Sequence, residues 1–147
     1  MARKRKFCAI FITESHYIDD SFFHFLLPAL FSRCSVLLGL WGIVNNAGIL
    51  DCIGPADWMS ADDYRRHCNV NLFGLIDVTM TFLLLVKKSH GRIVNMSSNF
   101  GRVSYPAFSP YSVSKFGIEA FTDSLRCVFK TLLCWCIICC VWLHFLL

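Results

Sequence analysis

Tyr111 and Lys115 are the residues whose types and spacing come closest to a catalytic pair. They stand four residues apart in "YSVSKFGIEAF", a segment typical of the start of a helix. Residues i and i+4 share one helix face, so both side chains can project toward the same crevice. A nearby ammonium favours the tyrosinate, and we expect it to lower the pKa of the phenol toward the range useful for general acid/base catalysis. The alternative is a helix surface with one cation near its beginning.

Other polar groups follow apolar runs that are typical of buried strands. Ser97 and Ser98 follow "RIVNM", and the Ser98 hydroxyl can hold a substrate oxygen that exchanges a proton with Tyr111. Asn71 is polar within the apolar segment "NVNLFG", where the structural alternative is an amide that satisfies a helix kink. The run "LWGIV" is followed by Asn45, Asn46, Ala47 and Gly48. Each motif alone reads as a turn or a cap, but in this order they indicate one site.

The elements that position these residues alternate between strand and helix. The segments "LWGIVNNAG" and "RIVNMSS" have the pattern of buried parallel strands. Ser60, with Asp63 three residues later, predicts a capped helix start. A long helix is expected from Leu72 to Val86, closed by two lysines and by Gly91 as its C-cap. Strand, helix, strand, helix predicts an α/β fold with a parallel sheet, in which chemistry gathers at the strand ends.

The helix that opens at Tyr111 has apolar residues spaced for a buried face, at Ile118, Phe121 and Leu125. Between residues 40 and 126 there are eight Lys/Arg and seven Asp/Glu, and this near-neutral balance gives no electrostatic case for a nucleic-acid partner. The chain has 147 residues, enough for one domain. Its hydrophobic share is 56% and its charged share only 16%, and this apolar excess lies at the two ends.

The ends also carry the features that suggest targeting or metal binding. "RKRK" precedes an apolar run too short for a secretory signal peptide, so we expect a reducing compartment and free thiols. Cys136 and Cys139 have the spacing of a zinc knuckle, with His144 nearby, but no second cysteine pair or turn glycine accompanies them. We therefore predict no metal site. The uncharged segment from Thr131 to Leu147 is just long enough for a marginal membrane anchor.

Residues 40–126 resemble the central part of a short-chain dehydrogenase/reductase, and within that family the retinol dehydrogenase and 17β-hydroxysteroid dehydrogenase type 6 group. The phrases that carry the resemblance are "LWGIVNNAG", "NVNLFGLIDVT", "LLLVKKSHGRIVNMSS", "GRVS" and "YSVSKFGIEAFTDSLR". The resemblance implies a partial Rossmann-like, doubly wound parallel sheet over 40–126. It leaves an atypical segment, 1–39, and a hydrophobic Cys-rich tail, 127–147, outside the family pattern.

The resemblance also implies roles. Asn71 would support a proton-relay water, Ser98 rather than Ser97 would orient the substrate, and Tyr111 would be the general acid/base. Lys115 would lower the pKa of Tyr111 and bind the nicotinamide ribose. The tetrapeptide 45–48 would line the adenine side of the cofactor cleft and brace the central strand. The implied reaction is hydride transfer between NAD or NADP and an alcohol or ketone on a lipophilic substrate, a retinoid or a steroid.

The departures from the family pattern predict an impaired enzyme. The first 38 residues contain no glycine, so the glycine-rich turn that holds the pyrophosphate cannot be placed, and we expect weakened cofactor binding. The substrate loop is likewise not recognisable after residue 126. We expect unpaired sheet edges on both sides of the central segment. An internal fragment that arose by splicing or from a faulty gene model would explain both breaks, a hypothesis that transcript sequencing across codons 39 and 127 tests.

Two alternatives to a working alcohol dehydrogenase stay open. One is an inactive chain that associates with a full-length dehydrogenase, as a homo- or heterodimer formed through the two long helices. The other is a membrane-anchored protein that acts through its tail. The resemblance implies location at the endoplasmic-reticulum membrane, with the cytoplasm as the alternative.

Overall fold

The computed structural model describes residues 9–12, 29, 32, 40–130 and 135–139. Four parallel strands form one sheet in the order β1-β2-β3-β4. The strands are β1 Ala9–Ile12, β2 Gly42–Asn45, β3 Arg92–Met96 and β4 Trp135–Cys139. Neighbouring parallel strands need a crossover connection. The α/β fold and the parallel pairing of β2 with β3 are therefore confirmed.

The described helices are α1 Ala61–Cys68, α2 Gly74–Lys88 and α3 Ser109–Lys130. A π-helical turn, Asn69–Phe73, joins α1 to α2, and short 3-10 turns cover Ala56–Trp58 and Asn99–Gly101. The predicted helix start at Ser60 is confirmed: its hydroxyl accepts from the Asp63 amide, and the Asp63 carboxylate accepts from the Ser60 amide. Each group satisfies a donor that the first helical turn would otherwise leave unpaired.

The end of α2 differs from the prediction that Gly91 is its C-cap. Ser89 is the C-cap, and His90 takes the left-handed conformation with φ of 52°. The Gly91 amide donates to the Val86 carbonyl at 2.9 Å and the His90 amide to the Lys87 carbonyl at 3.2 Å, which is the Schellman pattern. Gly91 is needed for another reason: a Cβ there would lie 2.6 Å from the carbonyl oxygens of Leu40 and Trp41.

The core lies between the sheet and the helices that pack on it. Fully buried apolar side chains come from β2, α2, β3, α3 and the segment just before β2, namely Leu40, Ile43, Phe82, Val86, Ile93 and Ile118. Of the three predicted contacts of α3, Ile118 and Leu125 are buried and Phe121 is half-buried.

A chain of polar side chains, here called the asparagine network, runs through this core. The Asn45 amide donates to Thr79 at 2.9 Å and to Asn95 at 2.8 Å, and the Asn95 amide donates to Thr122 at 2.9 Å. All four side chains are nearly or fully buried. The network therefore ties the two central strands to α2 and α3, because a buried donor must find an acceptor.

The expectation that the central segment has unpaired sheet edges is wrong, because β1 and β4 pair with the outer sides of β2 and β3. β1 pairs with β2 from Ala9↔Gly42 to Ile12↔Asn45, and β4 pairs with β3 from Arg92↔Trp135 to Met96↔Cys139. The strands arise from apolar β-branched and aromatic runs that sequence analysis left without structure. The rest of the proposed anchor, 131–147, lies outside the described residues except for β4.

One described helical stretch, Ala61–Lys88, is long and apolar enough to cross a membrane by length and composition. It comprises α1, the π-helical turn and α2, and α2 contributes Phe82 and Val86 to the core. The core helix of a soluble protein passes the same test.

Candidate active site

Tyr111 and Lys115 lie on the first turns of α3, which begins two residues earlier than predicted, at Ser109. The Lys115 ammonium stands 5.5 Å from the centroid of the Tyr111 ring, so the i, i+4 geometry predicted from spacing is present. The Lys115 side chain is buried, and its Nζ donates to the Met96 carbonyl, at the carboxyl end of β3, at 3.0 Å. The carboxyl end of β3 and the start of α3 are therefore in contact at Lys115.

Burial governs the ionisation of both groups. It lowers the pKa of Lys115 to about 8, because an ammonium loses hydration when it leaves water. Burial also raises the pKa of Tyr111, while a hydrogen bond with Ser98 acts in the lowering direction. The expectation of a lowered pKa for Tyr111 is therefore wrong for this structure, because loss of hydration outweighs the hydrogen bond with Ser98.

Ser98 opens the 3-10 turn that follows β3. Its hydroxyl donates to Asn99 Oδ1 at 2.9 Å and accepts from the Phe100 amide at 3.3 Å, so the turn orients it. Ser97 is also buried, but its hydroxyl has no hydrogen-bond partner among the described residues. A Cβ on Gly101 would lie 2.6 Å from Ser97 Oγ, which shows how closely this turn covers Ser97. Of the two serines, Ser98 is the one that forms a hydrogen bond with Tyr111.

Asn71 is fully buried in the π-helical turn before α2. Its amide forms two hydrogen bonds with the backbone of Ile49: Oδ1 accepts from the amide at 2.7 Å, and Nδ2 donates to the carbonyl at 3.0 Å. Nδ2 also donates to Ser114 Oγ at 3.0 Å. The helix is irregular here, as the structural alternative requires, yet the side chain binds the loop after β2 and helix α3 rather than its own helix.

Gly48 completes this group of residues. A Cβ at this position would lie 3.3 Å from Asn71 Oδ1 and 3.7 Å from Lys115 Nζ. A larger residue would therefore fill the space between the asparagine and the ammonium. We call Gly48, Asn71, Ser114 and Lys115 the site cluster.

The other three residues of the tetrapeptide do not join the site cluster. The Asn45 side chain belongs to the asparagine network and braces β2 against β3. Asn46 is exposed and Ala47 is half-buried. The structure thus places Gly48 beside the lysine but directs Asn45 into the core.

Sequence reasoning missed the aromatic surroundings of Tyr111 and the role of Ser114. The Phe100 ring lies 4.9–5.6 Å, centroid to centroid, from the rings of Tyr105, Phe108 and Tyr111. The signal was the run of aromatic residues in the loop between 100 and 111.

Within the part of the chain that the structure describes, no group of three His, Cys, Asp or Glu side chains could hold a metal ion. The side chains of Cys136, Cys139 and His144 lie outside it.

Solved structures share this architecture. A short-chain dehydrogenase from Streptomyces avermitilis matches with a TM-score of 0.72 at 23% identity, over 82% of this chain and 43% of that one, a likeness of fold alone. An Escherichia coli short chain dehydrogenase complexed with NADPH matches with a TM-score of 0.68 at 26% identity, over 75% of this chain and 47% of the other.

Curated relatives match the central segment. Dehydrogenase/reductase SDR family member 9 from Bos taurus is 54% identical and mouse retinol dehydrogenase 16 is 53% identical, each over 88 residues, 60% of this chain. The Bos taurus 17-beta-hydroxysteroid dehydrogenase type 6 is 52% identical over the same length. The chain spans 27% of the length of each of these relatives. The family model for short chain dehydrogenases matches residues 28–133. The chain therefore belongs to the short chain dehydrogenase family.

Proposed function

We propose that this site performs the proton transfer of an NAD(P)-dependent oxidoreductase acting on the CH–OH group of an alcohol, or on the corresponding ketone. The observation that carries the proposal is the buried Lys115 ammonium beside the Tyr111 ring, at the carboxyl end of a central parallel strand. Ligands of open α/β sheets bind outside the carboxyl ends of the strands. A buried cation next to a phenol at that place is poorly explained as a structural contact.

Four residues of the chain each have a separate role in the proposed proton transfer. Burial raises the pKa of Tyr111, so its phenol is protonated at neutral pH and can donate to a carbonyl oxygen of the substrate. The Ser98 hydroxyl holds the same oxygen. Lys115 supplies positive charge beside the phenol, which stabilises the tyrosinate left after the transfer. Asn71 sets the position of the loop and supports a relay water.

The residues fit a dinucleotide at its nicotinamide end. An ammonium has three donors, and among the described residues one of them has an acceptor, the Met96 carbonyl. Lys115 would hold the nicotinamide ribose, and residues 46–48, with no side chain at Gly48, would line the adenine side of the cleft, while Asn45 braces the strand beneath them. Bound NAD or NADP would supply or accept the hydride. The first 38 residues contain no glycine, so we propose that binding of the pyrophosphate is weak.

A lipophilic alcohol or ketone, a retinoid or a steroid, is the proposed substrate class. The names of the similar retinol dehydrogenase 16 and 17-beta-hydroxysteroid dehydrogenase type 6 support this proposal. The aromatic rings beside Tyr111 support it as well, since Phe100 is half-buried and Tyr105 is 45% exposed. Such rings offer an apolar wall to a flat or fused-ring substrate.

Turnover of a retinal and of a steroid ketone with NADPH and with NADH tests the reaction. We expect slow reduction, and Tyr111→Phe should lower kcat at least about 100-fold because it removes the proton donor. Tyr64→Phe is the matched control: it deletes a phenol hydroxyl that bonds Ser109 outside the site. Equal losses in the two variants would contradict the proposal.

Calorimetric titration with NAD and NADP tests the cofactor site separately. We expect a Kd weaker than about 1 mM, which corresponds to roughly −4 kcal/mol. Tighter binding would overturn the proposal of a weakened site without affecting that of the reaction.

A second candidate function is association with a full-length dehydrogenase through the two long helices. Apolar side chains on α2 and α3 face solvent, namely Met80, Leu84, Val113 and Phe116. Leu84 is 73% exposed, so Leu84→Asp should abolish co-purification with a full-length relative and leave the chain folded. Retention of the complex would argue against this surface. We also propose residence at the endoplasmic-reticulum membrane, which carbonate extraction tests: recovery in the soluble fraction would contradict integral membrane insertion.

A further inference from the structure

We infer that Ser114 is the positioning residue that joins Asn71 to the helix carrying Tyr111 and Lys115, an inference that rests on the proposed function of that pair. Ser114 is fully buried, like Asn71. Its hydroxyl accepts from Asn71 Nδ2 at 3.0 Å and donates to the Tyr111 carbonyl at 2.7 Å. One side chain therefore connects a π-helical turn to the first turns of α3, across 43 positions of sequence.

The orientation of the Asn71 side-chain amide fixes which of its atoms faces Ser114. Ile49 presents both an amide donor and a carbonyl acceptor to the side chain, and this decides which atom is Oδ1 and which is Nδ2. The second Nδ2 hydrogen must then find an acceptor, and Ser114 Oγ provides it. A hydroxyl accepts this bond and donates to a carbonyl from a small volume, and does both more strongly than a thiol of similar size.

The connection also holds Lys115 in place. Gly48 and Ile49 are adjacent in the loop after β2, and a Cβ on Gly48 would lie 3.7 Å from Lys115 Nζ. The loop that Asn71 holds by hydrogen bonds therefore covers the ammonium. The same asparagine bonds to Ser114, the residue directly before Lys115 in the helix. A displacement of Asn71 would open the cover over Lys115 and admit water to it.

Ser112 offers a matched control on the same helix. It is buried with 2% exposure, but its hydroxyl has no hydrogen-bond partner among the described residues. Ser112→Ala thus removes the same atom at similar burial without breaking a described bond. Ser114→Ala leaves the buried Asn71 donor without its acceptor.

Two measurements on the full chain separate positioning from general destabilisation. By NMR, Ser114→Ala should raise the pKa of Lys115 from about 8 toward its ordinary 10.5 and should speed amide hydrogen exchange of Ile49 at least about tenfold. Ser112→Ala should change neither. The inference is overturned if Ser114→Ala alters both readouts no more than Ser112→Ala does.

If Ser114→Ala does not fold, Ser114→Cys keeps a group of similar size with a weak donor and acceptor, and should give the same changes in smaller degree. Neither measurement needs turnover. A chain without activity would contradict the proposed function and leave these readouts interpretable, whereas an active chain with unchanged readouts would contradict the inference alone.

Discussion

The asparagine network and the site cluster are both buried and polar, yet they differ in the capacity they leave unused among the described residues: a neutral acceptor, Asn45 Oδ1, in the network, and donors of a charged group in the site cluster. In the network, each side-chain amide hydrogen bond ends on an oxygen of a neighbouring element, from Asn45 to Asn95 and on to Thr122. In the site cluster, Lys115 has a charge and three donors, and within the described part of the chain it forms one hydrogen bond, to a carbonyl. Burial of polar groups alone therefore does not mark a site. A buried ionisable group with unused hydrogen-bonding capacity does.

The largest expected difference between the two regions is in their response to pH. Lys115 has a pKa of about 8 in the folded chain against an ordinary 10.5, so the unfolded chain binds more protons between these values. Stability should rise with pH across that window by about 3 kcal/mol, and the cost of burying the ammonium is present in full below pH 8. Chemical denaturation at intervals from pH 7.5 to 10.5 measures this rise.

Lys115→Met supplies the control, because it keeps an unbranched side chain and cannot titrate. Its stability should lack the rise that the wild type shows. Above pH 10 the half-buried Tyr111 acts in the opposite direction, because its raised pKa keeps a proton on the folded chain that the unfolded chain loses. The wild-type minus variant difference removes this contribution. The same rise in both chains would assign it to another group and erase the contrast between the regions.

The asparagine network should instead respond to truncation. Asn95→Ala removes the acceptor of Asn45 and the donor to Thr122 in one step. We expect a loss of about 2 kcal/mol at every pH, since an orphaned buried group costs about 1–3 kcal/mol. Asn46→Ala, at an exposed asparagine, should change stability by less than about 0.5 kcal/mol. Urea denaturation of both variants checks this, and comparable effects would mean that the network contributes no more than a surface amide.

Local sequence patterns predicted much of the fold and part of the site. The capping box at Ser60, the parallel strands and the Tyr111–Lys115 face depend on residues within four positions of each other or on simple runs. The Asn71–Ser114 bond joins positions 43 apart and could not be read from spacing. Its partners become visible only once the sheet brings the loop after β2 against α3.

There are also physical reasons why sequence analysis did not predict β1, β4 and the end of α2. β1 and β4 are four- and five-residue strands with a sequence pattern that also fits a buried helix or a membrane segment, and pairing with β2 and β3 decides the outcome. At the end of α2, the sequence predicted that Gly91 closes the helix, whereas the adjacent His90 takes the left-handed conformation. Close approach of the Leu40 and Trp41 carbonyls requires the glycine at 91, so His90 takes the left-handed position.

The smallest predicted effect tests how tightly the site cluster is packed. Replacing glycine by alanine stabilises a protein by about 0.4–1 kcal/mol where the backbone and the space allow it, because the unfolded chain loses freedom. Gly42 meets that condition, since the nearest atom to an added Cβ is a carbonyl oxygen at 3.8 Å. Gly48 does not, because the Cβ would press at 3.3 Å on an Asn71 side chain that three hydrogen bonds hold in place.

We therefore expect Gly42→Ala to be more stable than the wild type, and Gly48→Ala to be less stable than Gly42→Ala by about 1 kcal/mol. Gly48→Ala should also change the NMR titration of Lys115, because the new methyl group lies 3.7 Å from Nζ, whereas Gly42→Ala should not. Equal stabilisation by both substitutions, with an unchanged titration, would show that Asn71 yields freely. The site cluster would then be no more rigid than an ordinary loop, and the rigid positioning of the acid/base pair would lose its basis.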